Sequence, residues 1–170
     1  LYINSILREG EYTIEDNSEG KKTIIRNAVI CYSGGDDLFI VGAWNEIIEL
    51  AIDIQKKFAL YTEGTLTLSA GIGIYRHNYP ISVIAEEVAD MESMSKSKAG
   101  KAAVTLFEDG VKHKELGQDG YYMNISDGTF GWNELVDEVI AEKYNCIREF
   151  FDDAGERGIN FLYNLLELIR

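Results

Sequence analysis

The sequence predicts an α+β fold in which a ferredoxin-like arrangement of strands and helices is followed by part of an all-α helical bundle. Three observations support this prediction. Up to residue 107, short runs rich in β-branched and aromatic residues alternate with apolar residues spaced three and four apart. From residue 133 onward the apolar spacing is helical, with one break at residues 152–157. The length, 170 residues, suits one domain with a helical annex.

The first elements are the end of a helix and a β-hairpin. Residues 1–8 show the apolar spacing of a last helical turn, and the polar residues 9–23 predict a loop or hairpin. Residues 28–32 and 38–42 are two strand-like runs separated by the letters SGGDD. Because glycine adopts positive φ at little cost, these letters predict a hairpin turn between two strands.

Two helices and two strands are predicted next. Residues 44–61 form the clearest helix of the first half, and the alternating residues 65–75 predict a strand. Pro80 starts the next helix, because proline is tolerated in a first turn. Its expected buried stripe consists of Ile81, Ile84, Ala85, Val88 and Met91. The small, polar and basic residues 92–101 predict a loop, and residues 102–107 predict a strand.

The element order implies where the domains divide. One further strand before residue 1 would complete a ferredoxin-like β-α-β-β-α-β order, so we expect that first strand to lie upstream. The Gly- and Asp-rich residues 108–131 predict a connection, and Asn133 is the expected N-cap of a helix over 133–151. A second helix is predicted over 158–170. Two helices cannot close a core alone, so residues 1–115 and 116–170 are expected to be one domain and the beginning of a helical bundle.

Charge and composition exclude several classes of protein. The chain has 29 acidic and 16 basic residues and a net charge of −13, which disfavours broad binding to nucleic-acid backbones. A nucleotide can still bind through metal ions, because they reverse the local charge. No apolar run approaches the ~18 residues of a membrane span, and no signal peptide is recognisable, so we expect a cytoplasmic protein.

Cysteines and aromatic residues are assigned to the core by their usual burial. The widely spaced Cys31 and Cys146 predict two reduced core residues, and no zinc-ligand spacing is found. The aromatic residues expected in the core are Trp44, Phe58, Phe107, Trp132, Phe150 and Phe151.

The sharpest chemical feature is the tetrapeptide Gly34-Gly35-Asp36-Asp37. Hard divalent cations prefer oxygen ligands, and adjacent aspartates at a turn can supply them. The glycines leave room for a nucleotide against the backbone. Taken alone, the same four residues also suit a solvated, Asp-rich β-turn without a ligand.

Four segments extend this tetrapeptide into a family resemblance. They are YSGGDDLFIVGAW, TLSAGIGIY, KSKAGKAAVTLF and ERGINFLYNLLELIR, in this order. Together they resemble the large subunit of type III-A CRISPR interference complexes, the Cas-ten or Csm-one family, over nearly the whole chain. The resemblance implies a second palm domain, a GGDEF- and polymerase-like antiparallel sheet with helices, followed by the start of the C-terminal helical domain.

The resemblance implies an activity and a site. It implies that the palm converts ATP into cyclic oligoadenylate when target RNA is bound, with Mg or Mn held by the catalytic pair Asp36 and Asp37. Ser33, Gly34 and Gly35 are expected beside the nucleotide. A phosphate-binding lysine is expected among Lys96, Lys98 and Lys101, and which one is used stays open, as does a merely solvated loop.

The resemblance also implies partners and leaves alternatives. Other subunits of the complex, guide RNA and target RNA are the expected partners, and the parent protein is expected to carry another palm and an HD nuclease domain. One alternative is a stand-alone relative of diguanylate cyclases, although Asp37 is followed by Leu38 and not by the Glu-Phe of that group. The other alternative is a catalytically idle palm that serves as a scaffold between subunits.

Overall fold

A computed structural model of the chain describes residues 26–98, 100–107, 113–116, 122–125 and 128–154. The chain forms two compact units, Leu1–Trp132 and Asn133–Arg170. The predicted boundary between residues 115 and 116 stays a prediction. The elements predicted over 1–8, 9–23 and 158–170 lie outside the described residues.

The predicted hairpin is present. Strands β1 (Ala28–Gly34) and β2 (Asp37–Gly42) pair antiparallel, from Ala28 opposite Gly42 to Gly34 opposite Asp37. The register shifts between Ile30 and Tyr32, so β1 is irregular just before the turn. The strands follow each other so closely that only two residues form the turn.

Helix α1 (Trp44–Tyr61) has the predicted bounds and covers one face of the hairpin. Its buried residues Leu50 and Ile54 form the centre of a core cluster. The partly buried residues packed against them are Ala28, Leu38, Ile40, Ile47 and Leu68. The inward-facing positions of β1 and β2 therefore meet the apolar stripe of α1, as an amphipathic pattern requires.

A second sheet contains three strands in the order β3-β4-β7. Strand β3 (Ala70–Ile72) is parallel to β4 (Ala103–Leu106), and β4 is antiparallel to β7 (Thr129–Gly131). Helix α2 (Ile81–Ser97) forms the crossover between the two parallel strands. Because of this topology, the end of α2 lies beside the beginnings of β3 and β4.

The connection predicted over 108–131 contains strands. Besides β7, an antiparallel pair is formed by β5 (His113–Leu116) and β6 (Tyr122–Ile125). Conversely, the strand predicted over 65–75 has only three residues in the sheet. The mixture of helices with parallel and antiparallel strands confirms the predicted α+β class.

The second unit begins with a π-helix (Glu134–Tyr144), which continues as α3 (Asn145–Ala154). The predicted helix is therefore present, but its wider winding was not expected. Asn133 is not an N-cap, because its backbone is already helical (φ −68°, ψ −41°) and its side chain makes no capping bond. Leu135 and Ile140 are the buried residues of the π-helix.

Several side chains predicted in the core lie at the surface. Cys31 and Cys146 are free thiols, as expected, but both are exposed. Trp132 is buried, whereas Trp44 is 60% exposed and Phe150 is 50% exposed. The others at the surface are Phe107 and Ile81, the latter in the first turn of α2. A 17-residue helix is about 25 Å long and a three-residue strand about 10 Å, so the ends of α2 extend past β3.

Candidate functional site

The hairpin reverses direction through Gly35 and Asp36. Gly35 has a φ of 63°, and Asp36 is not among the residues with positive φ. Positive φ at only the first of two central residues is the pattern of a type II′ turn, which favours glycine at that position. A Cβ at Gly35 would meet nothing within 4 Å, so the backbone conformation, and not crowding, requires glycine here.

The turn places two neighbouring carboxylates in solvent. Asp36 lies in the turn, Asp37 is the first residue of β2, and both are exposed. Ser33 is an exposed residue of β1 and pairs with Leu38. A Cβ at Gly34 would lie 2.5 Å from the Tyr32 hydroxyl, so the Tyr32 side chain lies directly over Gly34. Sequence reasoning did not select Tyr32, since a tyrosine in a strand carries no distinctive signal.

Lys96 lies in the last turn of α2 and not in a loop. Its ammonium forms an ion pair with Glu92, four residues earlier, with Nζ 2.6 Å from Oε1. The pKa of Lys96 is raised, first by this hydrogen bond and then by the charges of Glu92, Asp37 and Asp36, while slight burial acts in the opposite direction. The end of α2 is therefore within electrostatic range of the hairpin turn.

The other two predicted lysines have different surroundings. Lys98 is half-buried, and its Nζ donates to the carbonyl oxygen of Thr129 in β7 at 3.2 Å. Lys101 is exposed, has a φ of 52°, and its carbonyl oxygen accepts a bond from the Ser69 hydroxyl at 2.6 Å. The three predicted lysines therefore have three different settings, and the charges of Asp36 and Asp37 act on Lys96.

The donor set at the turn suits a cation that also binds phosphate. Among the described residues there is no group of three or more His, Cys, Asp and Glu side chains that could enclose a metal ion. Magnesium commonly takes only one or two carboxylates and completes its octahedral shell with water and substrate phosphates. Two exposed carboxylates at an accessible turn therefore fit Mg or Mn bound together with a nucleotide.

Within the same described residues, no helix is long and apolar enough to cross a membrane.

Comparison with known proteins gives consistent matches. The family model of the Cas10/Cmr2 second palm domain matches residues 3–105. A CRISPR system single-strand-specific deoxyribonuclease Cas10/Csm1 (subtype III-A) from Mycobacterium tuberculosis is 46% identical over 85% of this chain. The protein of the same description from Enterococcus italicus is 37% identical over 83% of this chain. In both cases the match covers 16% of the relative, so the chain spans about a sixth of their length.

A solved structure shares the fold. The crystal structure of Csm1 from T. onnurineus has a TM-score of 0.59 and 25% identity, over 95% of this chain and 25% of that one. The family model covers more than half of the chain, includes the GGDD hairpin and α2, and ends within β4. The chain therefore belongs to the Cas10/Cmr2 family and contains its second palm domain.

Proposed function

We propose that this palm domain joins ATP molecules into cyclic oligoadenylate, as part of an RNA-guided type III CRISPR complex in the cytoplasm that responds to target RNA. The observation that carries the proposal is the pair of exposed carboxylates, Asp36 and Asp37, at the glycine turn of the hairpin, and their charges act on the Lys96 ammonium. Phosphoryl transfer depends mostly on positioning and electrostatics, so two carboxylates and one ammonium supply the main charges it needs.

Each residue of the site has a proposed role. Asp36 and Asp37 hold Mg or Mn, which when bound neutralises phosphate charge and lowers the pKa of an attacking hydroxyl. Lys96 donates to a phosphate oxygen, while Ser33 and Gly34 lie on the strand that leads into the turn. We assign Lys98 a structural role, because its ammonium donates a hydrogen bond to the backbone of β7.

The proposal is tested with the double variant Asp36→Ala/Asp37→Ala in the full-length subunit, assembled into its complex. Labelled ATP and GTP are supplied and the products are separated by thin-layer chromatography. We expect product from ATP alone in the unaltered complex and none in the variant. The fold should persist, because removing two adjacent carboxylates relieves their mutual repulsion. The exposed Glu86→Ala, which removes a carboxylate from the surface of α2, is the matched control and should keep synthesis.

The same experiment separates the alternatives. Product from GTP alone would favour a diguanylate-cyclase relative, and no product from the unaltered complex would favour a scaffold. Synthesis that persists in the double variant would overturn the role of the Asp pair.

The relatives are named single-strand-specific deoxyribonucleases, and we assign that activity to the HD nuclease domain of the family. The double variant should therefore retain it. Another solved structure is a Csm1–Csm4 subcomplex, and it is 24% identical to this chain with a TM-score of 0.53. We infer from the family that the parent protein assembles with other Csm subunits, guide RNA and target RNA. Retained assembly in the double variant would separate loss of chemistry from loss of the complex.

A further inference from the structure

A continuous chain of hydroxyl groups links α2 to both neighbouring strands beneath the site. The Ser95 hydroxyl lies 2.7 Å from the carbonyl oxygen of Ala70 in β3 and 2.8 Å from the hydroxyl of Thr105 in β4. The Thr105 hydroxyl in turn lies 2.8 Å from that of Thr129 in β7. Ser95 and Thr105 are completely buried. One helix and three strands are thus joined by three side chains.

The number of available protons fixes which group donates and which accepts along this chain of hydroxyl groups. Each hydroxyl has one proton, and a carbonyl oxygen can only accept. When Ser95 donates to Ala70, its oxygen accepts from Thr105, which in turn accepts from Thr129. Every proton then has an acceptor inside the protein. Removing the middle hydroxyl would take the acceptor from the Thr129 hydroxyl and the donor from the buried Ser95 oxygen, although Ser95 would still donate to Ala70.

The packing of α2 on β3 explains why such a chain is needed. A Cβ at Gly71 would lie 2.5 Å from the carbonyl oxygen of Val88 and 2.7 Å from the Cβ of Met91, so the helix lies directly on the strand backbone. A glycine surface permits this close approach, but it offers no side chain that interlocks with the helix. Directional hydrogen bonds from Ser95 can fix the position of the helix along its axis.

The hydroxyl chain ends beside Lys96. Ser95 immediately precedes Lys96, and Thr129 accepts the Lys98 ammonium through its carbonyl oxygen. The last turn of α2 is therefore held from both sides, by Ser95 before Lys96 and by Lys98 after it. A shift of this turn would move the Lys96 ammonium relative to Asp36 and Asp37.

We propose that the hydroxyl chain Ser95–Thr105–Thr129 positions the last turn of α2, and through it the Lys96 ammonium. These are positioning residues, since their hydrogen bonds join α2 to the strands and not to the hairpin turn of the Asp pair. The inference rests on the proposed function for the role of Lys96 in phosphate binding. The structural part, that the chain fixes the last turn of α2, is testable without any activity.

The test uses two substitutions of Thr105 in the full-length subunit. Thr105→Val keeps the volume and removes the hydroxyl, whereas Thr105→Ser keeps the hydroxyl and removes a methyl group. Amide hydrogen exchange of residues 94–98 and the KM and kcat for ATP are measured for each. We expect Thr105→Val to speed exchange there and to raise KM about tenfold, the factor of one lost interaction, with a smaller change in kcat. Thr105→Ser should resemble the unaltered protein in both measurements.

The outcomes decide between positioning and packing. If Thr105→Ser disturbs exchange more than Thr105→Val, the residue fills space and the inference is wrong. Unchanged exchange in both variants would also overturn it. Faster amide exchange in Thr105→Val with an unchanged KM for ATP would show that the hydroxyl chain holds the last turn of α2 but does not position Lys96 for ATP binding. If the unaltered complex makes no oligoadenylate, the proposed function fails, while the exchange data still decide whether the chain holds the turn.

Discussion

Gly71→Ala tests how closely α2 must approach β3. The added Cβ would lie 2.5 Å from the Val88 carbonyl oxygen, 2.7 Å from the Met91 Cβ and 2.8 Å from the Glu92 amide nitrogen. Two of these three atoms belong to the helix backbone, so the helix would have to move away from the strand. Overpacking of this kind costs about 1–3 kcal/mol. Replacing glycine stiffens the unfolded chain and returns about 0.4–1 kcal/mol. We therefore expect a net loss of about 1–2 kcal/mol in the free energy of unfolding.

Gly73→Ala is the matched control two residues along the chain. The three atoms nearest to its Cβ would all belong to the Tyr75 side chain, at 2.5 to 2.7 Å, and a side chain can turn away where a helix backbone cannot. We expect its stability loss to be the smaller of the two, even if the stacking of Tyr75 on Tyr79 is lost. Urea denaturation of the chain, followed by Trp132 fluorescence in a Trp44→Phe background, measures both variants. Equal losses for the two would refute the argument that backbone contact makes Gly71 necessary.

Three further predictions concern the lysines and the second unit. Lys96→Ala should raise the KM for ATP more than Lys98→Ala does. Lys98→Ala should lower the thermal midpoint more than Lys96→Ala does, because it loses the bond to Thr129. The reverse order in both measurements would exchange the roles of the two lysines. The KM for ATP should stay constant from about pH 8 to 10. The ordinary pKa of a lysine is already high and that of Lys96 is raised further, so Lys96 stays protonated in this range. A rise of the KM near pH 9 would contradict this. Phe150→Ala should cost less than about 2 kcal/mol in urea denaturation, and not the ~3–5 of a fully buried phenylalanine, because the side chain is half exposed.

Local patterns were sufficient to predict the hairpin and α1. Glycine and aspartate between two β-branched runs leave few alternatives to a tight turn, and the stripe of α1 matches a helical period from Trp44 to Tyr61. The same pattern did not show that Trp44 is exposed. Periodicity shows which face of a helix is apolar, but not how far the neighbouring strands cover that face. Burial at a helix end depends on the length of the strands beneath, which is a property of the tertiary fold.

The position of Lys96 could not be read from hydrophobicity. Residues 92–101 are small, polar and basic, so they predict a loop, yet α2 continues to Ser97. The buried face of this last turn is completed by Ser95, whose hydroxyl binds Ala70 and Thr105. A serine contributes nothing to an apolar stripe, and its partners lie 25 and 10 residues away. Only the folded chain shows that this turn is helical.

The charges around the turn explain why the metal and Lys96 have unequal parts in the proposed chemistry. The charges that act on the Lys96 ammonium are those of Glu92, Asp37 and Asp36, and Lys96 is already paired with Glu92. The whole chain has a net charge of −13, so its field repels a free triphosphate. A divalent cation on the Asp pair cancels the charge of the two carboxylates and offers the phosphates a centre of positive charge, since a bound metal is often the largest charge in a site. Loss of the Asp pair should therefore abolish synthesis, whereas loss of Lys96 removes one donor from a phosphate that the cation already holds.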